Sequence, residues 1–247
     1  MDLGIAGRTA AVAGASSGLG LASARALAAE GVRVAICGRD RARIEAAATG
    51  IDGAVPLVAD VSTVEGATGF VEAAVEALGH VDILVPNAGG PPPGDFASTP
   101  LDAYGPALDL NLLSTVAMCN AAVPAMCDRG WGRVVAITSV SVRQPIAQLI
   151  LSNTARAGAT AFLKTLALEV AARGVTVNSV QPGLHATDRL RSLYGGDTGA
   201  AAAGVPADQV GDPEDFGAFV AFLCSEHARF VVGAAVPVDG GAYRGLQ

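Results

Sequence analysis

The feature that most constrains this fold is a glycine-rich turn at residues 14–20, with the pattern Gly14-x-x-x-Gly18-x-Gly20. The apolar run before it, residues 9–13, predicts a short buried strand. The amphipathic run after it, residues 19–30, predicts a helix. Glycine lets the backbone approach a ligand closely, and the start of a helix offers free N–H groups and a partial positive charge to an anion. The order strand, turn, helix therefore predicts a phosphate site, and a glycine turn without a ligand is the plainer alternative.

The composition of the chain narrows the class of protein. Hydrophobic residues make up 51% of the 247 residues and charged residues 16%, which fits a sheet covered on both faces. The formal net charge of −7 argues against a nucleic acid or an anionic membrane as a partner. No charge-free apolar run reaches about 18 residues, and no basic N-terminal region precedes a cleavage site. We therefore expect no transmembrane helix, no signal peptide and a cytoplasmic location.

The cysteines point to the same compartment. Cys37, Cys119, Cys127 and Cys224 each stand in an apolar stretch, and no two of them form a C-x-x-C pair. Buried, reduced thiols are the expectation for such residues in a cytoplasmic protein. We expect no metal site.

Apolar runs alternate with helical patterns along the whole chain. Strands are predicted at residues 9–13, 32–37, 54–59, 81–86, 133–138, 175–180 and 234–238. Helices are predicted at residues 19–30, 40–49, 62–78, 101–129 and 148–173, and from residue 212 onward. Asp40, Ser62 and Asp212 are the predicted N-caps of their helices. An irregularity is predicted at Gly105-Pro106. This alternation predicts an α/β fold with a parallel, doubly wound sheet in a single domain.

Residues 184–211, which we call the lid segment, interrupt the alternation. They are polar, rich in glycine and alanine, and poorly periodic, and they follow the predicted sixth strand. Long loops inside compact domains are usually functional or disordered, and ligands bind at the carboxyl ends of strands in open α/β sheets. We expect a substrate lid, with a merely mobile insertion as the alternative.

Several short motifs stand in a fixed order along the chain. They are Gly14-x-x-x-Gly18-x-Gly20, Asp60-Val61, Asn87-Ala88-Gly89, Asn111, Ser139, Pro182-Gly183 followed by Thr187, and Val238-Asp239-Gly240-Gly241. In this order and at this spacing they resemble the short-chain dehydrogenase/reductase family, and the resemblance covers the whole chain.

The resemblance implies a single Rossmann-type domain over residues 1–247, with helices on both faces of the sheet, that binds a nicotinamide cofactor and transfers a hydride. It implies catalytic roles for Ser139 and Asn111, although Asn111 could also be purely structural. The residues that it implies for cofactor binding are Gly14, Ser16, Ser17, Gly18, Leu19, Gly20, Asp60, Val61, Asn87, Ala88, Gly89, Pro182, Gly183 and Thr187.

The chain departs from the family at the chemical centre. The family's Tyr-x-x-x-Lys begins thirteen residues after the catalytic serine, which is position 152 when counted from Ser139. Ser152 stands there and Arg156 stands at the lysine's position, followed by the Ala157-Gly158 pair that usually follows the lysine. Lys164 lies ~12 Å further along the helix and cannot replace the lysine. Tyr104, Tyr194 and Tyr243 are not obvious substitutes for the tyrosine.

This departure changes the expected chemistry. In the family, the tyrosine protonates the carbonyl oxygen while the nicotinamide delivers hydride. Arg156 can still bind ribose hydroxyls but does not release its proton easily, and Ser152 is a much weaker acid than a phenol. Losing a placed general acid typically costs ~10²–10⁴-fold in rate. Ser139, Ser141, His185 or a water is then left to supply the proton.

Three functions remain open at this point. The first is an oxidoreductase acting on a carbonyl or conjugated C=C substrate with a non-standard proton donor, with Ser139, Asn111, Ser152 and Arg156 as the catalytic set. The second is a lyase, isomerase or dehydratase on the same fold without net hydride transfer. The third is a non-enzymatic nucleotide-binding protein.

The end of the predicted second strand bears on the choice of cofactor. NAD-binding proteins of doubly wound folds place an acid here to accept the ribose hydroxyls, whereas this chain has Gly38 and then Arg39. An arginine would pair with a 2′-phosphate that an acid would repel. NADP(H) is therefore favoured over NAD(H), and Arg39 stacking on the adenine is the alternative.

Assembly is inferred from the two long predicted helices, 101–129 and 148–173. Both carry apolar residues on more than one face, including Leu163, Leu166 and Val170. Members of the resembled family usually pair these helices, so we expect a homotetramer or homodimer with C2 interfaces.

Overall fold

The order of the strands shows how the chain winds. In the computed structural model, which describes residues 1–193 and 198–246, seven parallel strands form one sheet in the order β3-β2-β1-β4-β5-β6-β7. The strands are β1 Thr9–Val12, β2 Arg33–Gly38, β3 Val55–Val58, β4 Ile83–Val85, β5 Gly132–Ile137, β6 Val175–Pro182 and β7 Ala235–Val238. The chain moves outward from β1 to β3 and then returns to place β4 on the other side of β1. The predicted parallel, doubly wound sheet is confirmed.

Helices cover both faces of this sheet. Within the described residues they are α1 Gly18–Ala29, α2 Arg41–Thr49, α3 Val64–Leu78, α4 Tyr104–Leu108, α5 Ser114–Arg129, α6 Ile150–Val170, α7 Asp188–Leu193, α8 Thr198–Ala202 and α9 Pro213–Leu223. The core on one face contains Leu27 of α1 and Phe216 of α9. The core on the other face contains Phe70 of α3, Met118 of α5 and Leu163 of α6. Burial on both faces explains why the strands are continuous apolar runs.

The cap of α3 differs from the prediction by one residue. Thr63, not Ser62, accepts a main-chain N–H of the first turn through its hydroxyl, at 3.0 Å. The N–H of Ser62 instead donates to the carboxylate of Asp60 at 3.0 Å, which holds Ser62 in a turn before the helix. The predicted caps Asp40 of α2 and Asp212 of α9 are confirmed, since each side chain accepts a main-chain N–H of its helix.

The first long helix is irregular in two places. The first agrees with the prediction: a 3₁₀ turn, Leu101–Ala103, passes into α4 beside Gly105-Pro106. The second, which was not predicted, is a π-helical turn, Asp109–Leu113, between α4 and α5. Such turns frequently mark functional sites. This one contains Asn111, whose amide donates to the carbonyl of Gly89 at 2.9 Å.

The second long helix is shorter than the predicted 148–173. Gln148 has a φ of 64°, in the left-handed region that a helix cannot use, so α6 begins only at Ile150. At its other end α6 passes into a 3₁₀ turn, Ala171–Arg173, and stops at Gly174, which has a φ of 78°. The predicted stop at Gly174 is confirmed.

The lid segment is more ordered than an irregular loop. It contains the short helices α7 and α8, and its ends meet in a main-chain bridge between His185 and Gly211. The expectation of a loop without secondary structure is therefore wrong. Residues 194–197, with Tyr194, lie outside the described residues.

The two strands at the edges of the sheet each contain a proline. β3 carries Pro56 and β7 carries Pro237. Neither residue has an N–H to offer to a further strand, and proline is tolerated in sheets mainly at such edges.

Two further expectations concern burial. The four cysteines are all buried, free thiols, as expected. One helical stretch in the described part of the chain, Leu101–Arg129, is long and apolar enough to cross a membrane by length and composition, with a mean hydropathy of 1.4 over its most apolar 18 residues. Because 56% of those residues are buried inside the fold, and the core helix of a soluble protein passes the same test, this stretch is weak evidence for a membrane span.

The contact between α1 and α9 generates a stability prediction. A Cβ on Gly217 of α9 would collide with the carbonyl oxygen of Ala22 on α1, so Gly217→Ala should push the helices apart and lower the free energy of unfolding by roughly 1–3 kcal/mol. Gly69, exposed in the middle of α3, has no atom within 4 Å of its Cβ position. Gly69→Ala should therefore raise the free energy of unfolding by roughly 0.5–1 kcal/mol. Urea unfolding measures both, and equal effects would contradict the packing argument.

Candidate active site

The residues predicted to bind a cofactor follow the ends of neighbouring strands. From one side of the sheet to the other, they are Asp60 after β3, Arg39 after β2, residues 14–20 after β1, residues 87–89 after β4, Ser139 after β5, and residues 182–187 at the end of β6. Parallel strands end at one edge, so these groups form a line across the point where the strand order reverses, between β1 and β4. Open α/β sheets bind ligands at this position.

The glycine turn needs glycine at each of its three positions. Gly14 and Gly18 have φ values of 56° and 59°, which L side chains rarely adopt. A Cβ on Gly20 would lie 2.6 Å from the carbonyl oxygen of Gly14 and 2.7 Å from the amide nitrogen of Asn87. The turn is therefore packed tightly against the end of β4, and its three glycines present only main-chain atoms on the side away from β4.

The side chain of Asn87 holds this turn to the end of β4. Its Nδ2 donates to the carbonyl oxygens of Ala13 at 3.2 Å and Gly14 at 3.1 Å. Both bonds use the same amide nitrogen. The predicted cofactor residue Asn87 is thus seen to position the turn.

The start of α1 fits an anion. Ser17 is the N-cap in extended conformation, yet its side chain makes no capping hydrogen bond, and the first turn contains no acidic residue. The N–H groups of the first turn and the hydroxyls of Ser16 and Ser17 are therefore the donors at this helix end. These donors, together with the glycine turn, fit the pyrophosphate of a dinucleotide.

The ends of β2 and β3 carry the remaining predicted cofactor residues on this side of the sheet. A Cβ on Gly38 would lie 3.1 Å from Cβ of Ser16, so a larger residue at position 38 would crowd the turn. Arg39 is exposed, and its charge reaches Asp60. Partial burial works against ionisation of Asp60, but hydrogen bonds from Ser62 and the positive charge of Arg39 outweigh it and lower the pKa of this carboxyl.

Ser139 retains a hydroxyl proton to donate. It follows β5 and caps a 3₁₀ turn, Val140–Val142, by accepting the N–H of Ser141 at 3.1 Å. Because a hydroxyl has one proton and two lone pairs, this bond leaves the O–H available. The hydroxyl of Ser141 is fully buried and has no partner among the described residues.

Arg156 is tied to the carboxyl ends of β4 and β5. Its Nη1 donates to the carbonyl oxygens of Ile137 at 3.1 Å and Thr138 at 2.9 Å, and its Nη2 donates to that of Ala88 at 3.3 Å. Three of the five N–H donors of the guanidinium are thus committed to main chain, which leaves two for a ligand. Burial and, to a smaller extent, the charge of Arg189 lower the pKa of Arg156 to about 10. It remains a cation at neutral pH.

Ser152 stands one helical turn before Arg156 on the same side of α6. Ser152 is 9% exposed, and within the described part of the chain its hydroxyl makes no hydrogen bond. The loop after β4 fixes the start of this helix: Gly94 donates to the carbonyl of Gln148 at 2.7 Å and accepts from Ile150 at 3.1 Å. Ser152 and Arg156 therefore depend on the loop after β4 as well as on their own helix.

A carboxylate strengthens that connection. Asp95 accepts from the amide of Gln148 at 3.0 Å and from the N–H and hydroxyl of Ser98. The hydrogen bonds from Ser98, and then that from Gln148, lower the pKa of Asp95 to about 2. Asp95 is thus ionised over the whole physiological range.

The lid segment meets the glycine turn. Cγ2 of Thr187, a predicted nicotinamide contact, lies 3.5 Å from the Cβ position of Gly18. A Cβ on Gly183 would lie 2.8 Å from Cα of Asp239, so the predicted Pro182-Gly183 pair needs its glycine for close approach to the end of β7. These contacts bring the start of the lid segment over the row of predicted cofactor residues that follow the strand ends.

His185 is an unfavourable proton donor. Its ring is buried edge-on against Phe216 of α9, with 5.1 Å between ring centroids, and its Nδ1 lies 3.3 Å from the carbonyl oxygen of Gly183. Burial lowers its pKa, so the imidazole is neutral at neutral pH. It links the lid segment to α9.

Sequence reasoning missed Arg189. This exposed residue of α7 donates from Nη2 to the carbonyl oxygen of Pro91, 3.3 Å away, and so joins the lid segment to the loop after β4. The contact joins positions 98 residues apart, and no local pattern in the sequence indicates it.

A mostly apolar cavity of about 670 Å³ adjoins this loop. Pro91–Pro93, Leu110 of the π-helical turn and Leu151 are among its lining residues, but Ser139, Ser152 and Arg156 are not. We place the reaction at the strand ends, where the charged and hydroxyl groups converge, and regard the cavity as a neighbouring apolar compartment.

Comparison with known proteins agrees with this fold. The family model described as "Enoyl-(Acyl carrier protein) reductase" matches residues 14–243. The acetoacetyl-CoA reductase of Cupriavidus necator is 35% identical over 246 residues, covering 96% of this chain and 99% of that protein. The 3-oxoacyl-(acyl-carrier-protein) reductase FabG of Vibrio cholerae is 32% identical, covering 98% and 99%. The structure of L-sorbose reductase from Gluconobacter frateurii, complexed with NADPH and L-sorbose, aligns over 100% of both chains with a TM-score of 0.93 and 33% identity.

The fold and these relatives define the class of protein as an oxidoreductase built on a parallel α/β sheet. Within that class, the chain belongs to the short-chain dehydrogenase/reductase family. The resemblance inferred from the motifs is confirmed.

The geometry of the glycine turn generates a binding prediction. Gly18→Asp places a carboxylate at the start of α1. Because this anion would occupy the position of the phosphate and repel it, NADPH binding measured by calorimetry should weaken at least 100-fold. Gly18→Asn is the matched control, since asparagine has nearly the same shape, tolerates positive φ and carries no charge. It should retain at least about tenfold more affinity than the aspartate variant. Unchanged affinity in a folded Gly18→Asp protein would refute the phosphate site.

Proposed function

We propose that the protein is an NADP(H)-dependent oxidoreductase acting on a carbonyl or conjugated C=C substrate, with a proton donor other than tyrosine. The proposal is carried by the count from Ser139, which puts Ser152 and Arg156 of α6 at the positions expected for the tyrosine and lysine of the family's motif. Arg156 is a buried cation with two donors that bind no described residue, and Ser152 is too short and too weak an acid to replace a phenol. In this proposal the chain keeps the family's cofactor-binding residues and lacks its usual acid.

Each residue has a role in this proposal. The bound nicotinamide supplies or accepts the hydride. Ser139 donates its free O–H to the substrate oxygen as negative charge develops there. Arg156 contributes fixed positive charge and ribose contacts, and Asn111 anchors the π-helical turn to Gly89. The proton comes from Ser139, Ser141 or water.

A conjugated C=C bond suits this arrangement better than an isolated ketone. In a conjugated substrate the β-carbon would accept the hydride, and the negative charge would be delocalised as an enolate onto an oxygen that Ser139 can bind. The proton can reach the product later from a more distant donor. The description of the matching family model, an enoyl reductase, supports the same choice.

The preference for NADP(H) is supported by Arg39. Its side chain is exposed beside the end of β2, where Gly38 leaves room, and it can pair with a 2′-phosphate. Asp60 lies close enough to feel its charge and offsets part of it. A solved relative binds NADPH.

We further propose a single cytoplasmic domain with residues 184–211 as a substrate lid, assembled as a homodimer or homotetramer. Leu163 and Val170, two residues cited for assembly, are buried in the core of the protomer and cannot contribute to an interface. Leu166, the third residue cited, is half-buried, and Leu113 and Leu168 are exposed on the long helices, so these three support pairing.

A lyase, isomerase or dehydratase is the second candidate. It is favoured by the fixed donors of Ser139 and Arg156, which can stabilise negative charge without a proton-transferring tyrosine. Anaerobic incubation with NADPH and a panel of ketones and enones separates the two. Consumption of NADPH with any of them supports the oxidoreductase, and substrate conversion without NADPH consumption supports the alternative.

The cofactor preference can be tested by charge reversal. Arg39→Asp should weaken NADPH binding by at least about tenfold and leave NADH binding unchanged or stronger, because the 2′-phosphate loses its partner and meets an acid. Arg41→Asp makes the same charge change on an exposed neighbour that pairs with Glu45, and it should alter both affinities by less than about threefold. Equal responses of the two variants would refute a direct contact between Arg39 and the 2′-phosphate.

The roles of the two serines can be separated kinetically. Ser139→Ala removes a donor aimed at the oxyanion and should lower kcat by ~10²–10³-fold. Ser152→Ala should cost less than ~10²-fold, because in this proposal it is not the general acid. A Ser152→Ala protein as inactive as Ser139→Ala would show that Ser152 carries the chemistry.

Restoring the family pair completes this test. The double variant Ser152→Tyr with Arg156→Lys should gain carbonyl reductase activity on simple ketones, provided that it still binds NADPH. Circular dichroism and NADPH titration establish folding and binding. A folded, NADPH-binding double variant without any gain would favour the non-redox alternative.

A further inference from the structure

Two guanidinium groups face the same short segment of main chain beside the candidate active site. Arg156 donates to the carbonyl oxygen of Ala88, and Arg189 donates to that of Pro91, each at 3.3 Å. A Cβ on Gly90 would lie 3.4–3.8 Å from Nη2, Cζ and Nε of Arg189, so this guanidinium extends along position 90. One cation comes from the floor of the site and the other from the lid segment.

Neither cation has an acidic partner within the described part of the chain. The ion pairs found there involve other arginines and His80; on α7 itself, Asp188 pairs with Arg191 at 2.7 Å. The charge of Arg189 is felt at Arg156, where it adds to burial in lowering the pKa. Two like charges held together near a buried site destabilise each other, and an anion placed against both would relieve that repulsion.

We propose that Arg156 and Arg189 form an anion site that selects substrates carrying a carboxylate next to the reacting carbonyl or C=C bond. The planar guanidinium fork of Arg189 matches a carboxylate, and Arg156 adds its positive charge while its free donors remain for the ribose. The pyrophosphate of the cofactor already has the glycine turn and the start of α1. Pro91, whose carbonyl accepts from Arg189, also lines the apolar cavity. The substrate class is therefore an apolar acid. The reaction part of this inference rests on the proposed function, whereas the binding part does not.

The test measures binding without turnover, on the protein saturated with NADP⁺. The probes are two matched pairs in which a methyl group replaces the carboxylate: 2-oxooctanoate with 2-octanone, and 2-oxo-4-phenylbut-3-enoate with 4-phenylbut-3-en-2-one. Calorimetry at low salt should show each acid binding at least about tenfold more tightly than its ketone. Arg189→Met should reduce that ratio to below about threefold, with NADP⁺ affinity unchanged.

Arg191→Met is the matched control, because it removes an arginine of the same helix whose charge is already paired with Asp188. It should keep the preference for the acids. Equal binding of acid and ketone by the unmodified protein in both pairs would overturn the proposal. So would a loss of NADP⁺ affinity in Arg189→Met with the preference intact, since the anion would then be a cofactor phosphate.

A last measurement separates this proposal from the proposed function. NADPH consumption is followed with all four probes. A preference for the acids that Arg189→Met abolishes, without NADPH consumption on any probe, would support the anion site and refute hydride transfer to these compounds. NADPH consumption that is as fast with the ketones as with the acids would support the oxidoreductase and overturn the anion site.

Discussion

The amide of Asn87 holds the site together. Its two hydrogen bonds, to the carbonyls of Ala13 and Gly14, join the ends of β1 and β4 at the place where the strand order reverses. Two connections that leave a sheet in opposite directions open a crevice between them. The bonds of Asn87, together with that from the N–H of Ala13 to the carbonyl of Val85, hold its two sides together. The close packing of Gly20 against the same amide requires the turn to be glycine. The geometry of the predicted phosphate site thus depends on the hydrogen bonds of Asn87, which lie behind the glycine turn.

Much of the fold follows from pattern alone. Apolar runs of strand length, separated by helical patterns, require a parallel sheet covered on both faces, and the helix caps at Asp40 and Asp212 were local enough to predict. The errors arise where one particular hydrogen bond, and not the apolar pattern, decides the local structure. The π-helical turn forms at Asn111, which reaches Gly89, and not at the proline that suggested a break. Asp60 moves the cap of α3 from Ser62 to Thr63 by holding the preceding residue.

The convergence of the candidate residues at one edge of the sheet was predictable, but the orientation of their side chains was not. Strand ends meet at one edge, so motifs far apart in the sequence had to converge there. The spacing identified Arg156, but it could not show that three of its donors point at the carbonyls of two strands. The contact between Arg189 and Pro91 could not be predicted for a related reason. A long side chain on a short helix has many rotamers, and only the folded chain selects the one that reaches Pro91.

The prolines of the edge strands have a consequence for how copies of this protein meet. A sheet with unpaired edges is a template on which other chains can add strands, leading to continuous intermolecular sheets or fibrils. Pro56 and Pro237 interrupt the row of N–H donors at the two ends of this sheet. Strand-to-strand growth is thereby discouraged at both ends. A chain with 51% hydrophobic residues gains protection from aggregation in this way.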